Sequence, residues 1–207
     1  MAETGLRELK KARTRRHIAE TAARLFAERG YEKVAVSEIA RAAEVAEQTL
    51  YNYFPTKEQL VTDREQQIQD RLSELIRSRP DGTSPAAAIR DFVLLTVSEI
   101  DGRPSETARG NLGYLAAISP AVNRLALETT DRLAAALAAS IGDTSSIAPE
   151  LARLDGLALA GVFRIIISES GSRTHDGQTP TEIVAALYPQ IENILTELDR
   201  WQTRVAD

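Results

Sequence analysis

Cysteine is absent from the 207 residues. That excludes a disulfide framework, a thiolate nucleophile and any Cys-type zinc site. Histidine is almost as scarce, at two residues, and aromatics make up only 5% of the chain. Acid–base chemistry that relies on imidazole therefore has few places to sit. No apolar run approaches the ~18 residues of a membrane span, and the charged N-terminus lacks the apolar stretch of a secretory signal. No membrane partner and a cytoplasmic location are expected. Phosphate loops, dinucleotide fingerprints, G-x-S-x-G and H-E-x-x-H are missing as well, so an enzyme, a cofactor and a metal site are not expected. GNLG at 110–113 is too short to stand for any of them.

What the sequence does contain is an ordinary apolar fraction of 43% and an uneven charge. The net charge is −5, which taken whole disfavours a polyanionic partner. Residues 1–60, however, carry a balance of +2 and residues 61–207 one of −7. The first sixteen residues hold six basic side chains against two acidic ones. A basic arm on an acidic protein is a local electrostatic footprint for a polyanion, or else a solvated, frayed terminus.

Nearly every segment carries a helical apolar period, so the fold class is all-α. From Thr14 to Arg29, Ile18, Ala22, Leu25 and Phe26 follow i, i+4, i+7, i+8, and Gly30 supplies a left-handed stop. Ser37 is placed to cap a short second helix with Ile39, Ala40 and Ala43 facing inward. A third helix spans about Ala46 to Tyr53, joined to the second through Glu44-Val45. Pro55 disfavours helical geometry at Phe54 and ends it. Thr56 and Gln59 have the spacing of a capping box, so a fourth helix is predicted from Thr56–Lys57 to the Pro80-Asp81-Gly82 break.

Five further helices are predicted at about 85–101, 104–118, 120–141, 147–170 and 180–203, with the polar stretch GSRTHDGQTP as the last breaker. That makes about nine helices. Ile183, Leu187, Ile191, Ile194, Leu198 and Trp201 have the spacing of a bundle or coiled-coil seam. The segment before it, with Leu154, Gly161 and Ile165, is apolar on more than one face. A helix of that kind is either central to a monomeric bundle or part of a dimer seam; both terminal helices being so apolar favours a homodimer.

Three short helices, the last two joined tightly, match a helix-turn-helix. Its second helix offers N-terminal side chains to base edges in the major groove. Gln48 can bond adenine bidentately, Glu47 can accept from cytosine and Ala46 can touch a thymine methyl. Thr49 touches DNA or packs the turn, and Glu47 also suits a helix's first turn as a stabilising acid. Tyr51 and Asn52 can reach phosphate or sugar oxygens, and Lys57 stands where a phosphate clamp is expected. Tyr53 and Phe54 turn towards Leu25, Phe26 and Ile39, as core.

The run RRHIAETAARLFAERGYEKVAVSEIARAAEVAEQTLYNYFPTKEQLV resembles the DNA-binding domain of the tetracycline-repressor (TetR) family of transcriptional regulators, over about residues 13–61. The resemblance rests on the LFAERGYE turn, the SEIA second helix and the TLYNYFPTKEQL ending. It implies a homodimer that binds a palindromic double-stranded DNA operator, usually to repress, and is released by a small-molecule effector of unknown identity. It implies DNA contacts from Arg13, Thr14 and Arg15, from Val36 and Ser37, and from the recognition helix with Lys57. Residues 1–55 are then the DNA-binding domain, and 56–207 the ligand-binding and dimerisation domain. The family commonly places glycine where this chain has Glu44. A left-handed backbone there costs about 1 kcal/mol, so a slightly different turn is expected.

In the second domain Phe92, Arg109, Asn111, Tyr114, Asn123 and Phe163 interrupt apolar helices, and such side chains line a ligand pocket or serve as satisfied core groups. Arg164 is expected in an ion pair across a dimer seam, and His175-Asp176 in an exposed loop. The rival to a DNA-binding regulator is a helical adaptor whose basic arm and aromatics engage a protein.

Overall fold

The computed structural model describes residues 2–102 and 108–206. Among them are nine helices and no strand. These are α1 (Ala2–Arg29), α2 (Val36–Ala42), α3 (Glu47–Tyr53), α4 (Gln59–Arg77), α5 (Pro85–Ser98), α6 (Leu112–Ile118), α7 (Pro120–Gly142), α8 (Pro149–His175) and α9 (Pro180–Ala206). None is long and apolar enough to cross a membrane among the described residues. The start of the helix predicted over 104–118 lies outside the described residues. Its remainder is broken at Arg109–Asn111, and Asn111 caps α6 by accepting from the Tyr114 N–H at 3.0 Å.

Two hydrophobic clusters organise the chain. The larger is the bundle: Leu72 and Ile76 of α4, Ile89 and Val93 of α5, Leu137 of α7, Leu159 of α8 and Leu187 of α9 meet there. The other centres on Ile18, Phe26, Ile39, Leu50 and Phe54 of the first three helices. It does not stop at the end of the predicted first domain. Leu60 and Val61 join it, and so do Leu112, Leu115, Val122, Leu125 and Ala126 from α6 and α7. The N-terminal unit is therefore closed by a lid of side chains that arrive much later in the sequence.

Glycines make that closure possible. A Cβ on Gly110 would lie 2.1 Å from the Ala23 carbonyl oxygen of α1, and one on Gly113 would lie 2.6 Å from that of Ile167 in α8. A Cβ on Gly171 would meet the Gly113 carbonyl oxygen at 2.1 Å. GNLG, uninformative by itself, is thus the wedge at which α6 sits against α1 on one side and α8 on the other. Ser119 adds a polar tie. It caps α7 by accepting from the Val122 N–H at 3.2 Å and donates a short bond to Glu32 in the α1–α2 loop. That bond is the main reason Glu32 is held below the usual carboxylate range.

Several predicted boundaries move. α1 begins twelve residues before Thr14, because Lys, Arg, Leu and Ala are good helix formers and no proline interrupts them. α2 is capped at Ala35 rather than Ser37, with the Glu38 carboxylate accepting from the Ala35 N–H at 2.8 Å. Regular α4 starts at Gln59, after a turn in which Thr56 Oγ1 accepts from the Gln59 N–H at 3.4 Å. GSRTH is helical, not a breaker: α8 runs on to His175 and stops only where Gly177 takes φ 84°. His175 packs its ring 6.2 Å from that of Tyr114.

The dimer seam also needs correction. Ile183, Leu187 and Ile191 are fully or almost fully buried within the protomer's own bundle, and Ile194 and Leu198 pack half-buried against it. Periodicity finds a buried stripe but does not say whose core the stripe enters. On α8, by contrast, Leu154 is 48% and Leu157 57% exposed, Ile165 is half-buried, and a Cβ on Gly161 would meet nothing within 4 Å. Arg164 donates to Asn123 Oδ1 at 3.3 Å within the protomer.

Candidate nucleic-acid interface

α3 has one face inward and one outward. Leu50 is fully buried, as is Phe54 just beyond the helix, and Tyr53 packs half-buried beside them. Ala46, Glu47, Gln48, Tyr51 and Asn52 are exposed, with Thr49 half-buried between the two sets. Ala46 is the N-cap residue. Gln48 Nε2 donates to Asn52 Oδ1 at 3.3 Å, one turn on, which orients both amides along the outer face.

The turn ahead of α3 keeps the left-handed geometry that the sequence made doubtful. Glu44 has φ 55°, the one positive φ outside glycine among the described residues. The Val45 N–H bonds the Ala40 carbonyl at 3.0 Å and the Glu44 N–H bonds that of Arg41 at 3.2 Å, so the tight turn is made without glycine. Its steric cost, about 1–2 kcal/mol, is carried by the packing of Ala43 and Leu50 on either side.

The cations predicted to face DNA divide sharply. Arg13 is exposed, and Thr14 is half-buried with its hydroxyl bonded to the Lys10 carbonyl at 3.0 Å. Arg15 is a strut. Its Nη1 donates to the Tyr53 carbonyl at 2.7 Å, its Nε to Asp63 Oδ1 at 2.9 Å, and its Nη2 makes a second, short bond to the same oxygen. The guanidinium also lies 4.4 Å from the Phe54 ring centroid. One side chain thereby ties α1 and α4 to the last residue of α3. Lys57 folds back in a similar way: Nζ donates to the Tyr31 carbonyl at 2.6 Å and sits 4.3 Å from that ring's centroid. Burial pushes its pKa down, against the pull of Glu32, Glu58 and Glu38. The buried Tyr31 hydroxyl is pushed up to about 12, chiefly by desolvation. Lys57 keeps two N–H donors beyond that bond. Val36 and Ser37, at the start of α2, are half-buried.

A cavity of about 680 Å³ opens behind this unit. α1 lends it Arg15, Ala19 and Ala23, and α4 lends it Leu60 through Gln66, Ile68 and Gln69. The Ala108–Gly113 segment, Leu133 of α7 and Phe163, Ile166 and Ile167 of α8 add to the walls, as do Thr96 of α5 and Pro180 and Ile183 of α9. Of the six predicted pocket residues, Arg109, Asn111 and Phe163 line it. Phe92 packs on the bundle core, Tyr114 on the N-terminal cluster, and Asn123 pairs with Arg164. The α4 side chains were not among the expected pocket residues; they become a wall only where α1, residues 108–113, α7 and α8 come to face them.

A three-helix unit with a polar outer edge on its last helix, carried by an all-helical bundle, has the arrangement of a helix-turn-helix protein. Residues 18–63 match the family model for bacterial regulatory proteins of the tetR family. It is 29% identical over 160 residues to the HTH-type transcriptional regulator TcmR of Streptomyces glaucescens, covering 77% of this chain and 68% of that one. It is 31% identical over 91 residues to the HTH-type transcriptional repressor DhaR of Mycobacterium sp. (strain GP1), covering 43% of this chain and 46% of the relative. The crystal structure of NalD, the secondary repressor of the MexAB-OprM multidrug efflux pump in Pseudomonas aeruginosa, has the same fold. It aligns with a TM-score of 0.53 at 18% identity over 88% of this chain and 96% of that one.

Proposed function

We propose that the protein is a ligand-responsive repressor that binds a palindromic operator as a homodimer and is released by a small-molecule effector in the cavity. Residues 1–55 act as the DNA-binding domain and 56–207 as the effector and dimer body. Ala46, Glu47, Gln48 and Thr49 face base edges; Arg13, Thr14, Tyr51, Asn52 and Lys57 contact the backbone. Two protomers meet along the α8 stripe of Leu154, Leu157, Gly161 and Ile165. Arg15 acts indirectly, by holding α3.

One observation carries this reading. The cavity wall contains Arg15 and Asp63, and the same Arg15 bonds the final carbonyl of α3. An occupant that displaces α4 therefore moves the recognition helix, which changes the spacing of the two helices in a dimer. Half-sites one helical turn apart, ~34–36 Å, tolerate little such change. Reciprocity requires that operator DNA weaken effector binding by the same factor.

The test is selection of bound duplexes from random DNA, followed by binding of variants to the selected sequence. Gln48→Ala should relax preference at one base pair, by about 1–3 kcal/mol of discrimination. Lys57→Ala should weaken binding to every sequence alike. A pool that yields no preferred sequence, or a Gln48→Ala protein with unchanged preferences, would sink the docking model.

A further inference from the structure

We infer that the N-terminal part of α1 is a second DNA-binding element, a cationic stripe that grips phosphates outside the groove read by α3. This inference rests on the DNA-binding reading above and adds a site to it. α1 is one continuous helix from Ala2 to Arg29, whereas the family match starts only at residue 18. Ile18, Ala22 and Leu25 pack on the N-terminal cluster. Stepping back along the same face by helical spacing gives Thr14, then Lys11 and Lys10, then Arg7. The stripe that is apolar where it meets the unit becomes basic where it runs past it.

Arg15 fixes where that change happens, because its bond to the Tyr53 carbonyl marks the C-terminal end of the recognition helix. From there to Arg7 the helix advances about 12 Å. Arg7, Lys10, Lys11 and Arg13 are exposed along this stretch. A phosphate backbone beside an α3 seated in the major groove is the polyanion within reach. Such contacts release condensed counterions and carry no base preference, so they add affinity equally to all sequences.

The experiment compares the unaltered chain with a triple variant, Arg7→Gln, Lys10→Gln and Lys11→Gln, and with Arg16→Gln on the opposite side of α1. Affinity for the selected duplex and for a random duplex is measured between 50 and 200 mM salt. Loss of three phosphate contacts should flatten the log–log salt slope by about 2.7 per protomer, so that the fall in affinity over that range shrinks about 40-fold for each protomer bound. The effect should be alike on both duplexes, and Arg16→Gln should leave the slope unchanged. An unchanged slope in the triple variant, or an equal effect per charge from Arg16→Gln, overturns the stripe. Failure of the unaltered chain to bind any duplex would instead overturn the DNA-binding reading itself. Unchanged thermal melting of the variants confirms that the folded protein is being compared.

Discussion

The N-terminal cluster and the bundle cluster are closed in opposite ways. The bundle is sealed by long helices whose apolar faces repeat over many turns, from Leu72 to Leu195. The N-terminal cluster is built from one end of α1 and two seven-residue helices, and needs Leu112, Leu115, Val122, Leu125 and Ala126 from outside its own stretch of chain. The proposed reading unit of α1–α3 and the proposed effector body from α4 onward are therefore not separate in packing. Leu112, which helps to complete the N-terminal core, also lines the cavity proposed for the effector.

The sharpest way to break that comparison is Leu115→Ala. Leu115 lies far from α3 in sequence yet is fully buried in its cluster. Truncation should cost about 2–5 kcal/mol in a denaturant melt and weaken operator binding with it. A variant that melts at a lower denaturant concentration yet binds operator with full affinity would separate the two units after all. Gly110→Ala comes next. Its new Cβ meets α1 backbone, which cannot step aside as a flexible side chain does, so a loss of about 1–3 kcal/mol is expected in the same melt.

On the bundle side the comparison is sharpened by pH. Asp155 is buried, accepts from Gln202 Nε2 at 2.8 Å, and has its pKa raised above 3.8 mainly by desolvation, with Gln202 and Arg79 pulling the other way. A raised carboxyl favours the folded state while protonated and loses that contribution as pH rises through the raised value. Asp155→Asn keeps the acceptor and removes the charge. Its melting temperature relative to the unaltered chain should therefore climb as pH is increased from below 3.8 towards neutrality; a constant difference would remove Asp155 from the account. The smallest effect belongs to Glu44→Gly. Relief of the left-handed strain is partly offset by a more flexible unfolded chain, leaving a gain of less than about 1 kcal/mol with operator specificity intact.

The contrast between the two clusters also explains what the sequence disclosed. Gly30, Pro55 and the crowd of Tyr51, Tyr53 and Phe54 act through local backbone rules, so helix ends and the inward and outward faces of α3 were legible from residues alone. Ser37 misled because a carboxylate three residues after Ala35 does the capping instead. The α9 stripe misled because burial within a protomer and burial between protomers have the same period. GNLG and Arg15 were beyond reach: one depends on the approach of α1 and α8, the other on bonds to residues 38 and 48 positions away.

The lid that α6 and α7 place on the N-terminal cluster has a consequence for synthesis. Translation at roughly 5–20 residues per second makes Phe54 available well before Ala126 leaves the ribosome, by about 4–14 seconds. During that interval α1–α3 exist with the Leu112–Ala126 side of their core missing. A nascent chain should therefore gain operator affinity only once the lid has emerged, so that DNA recognition matures late although its residues are made first.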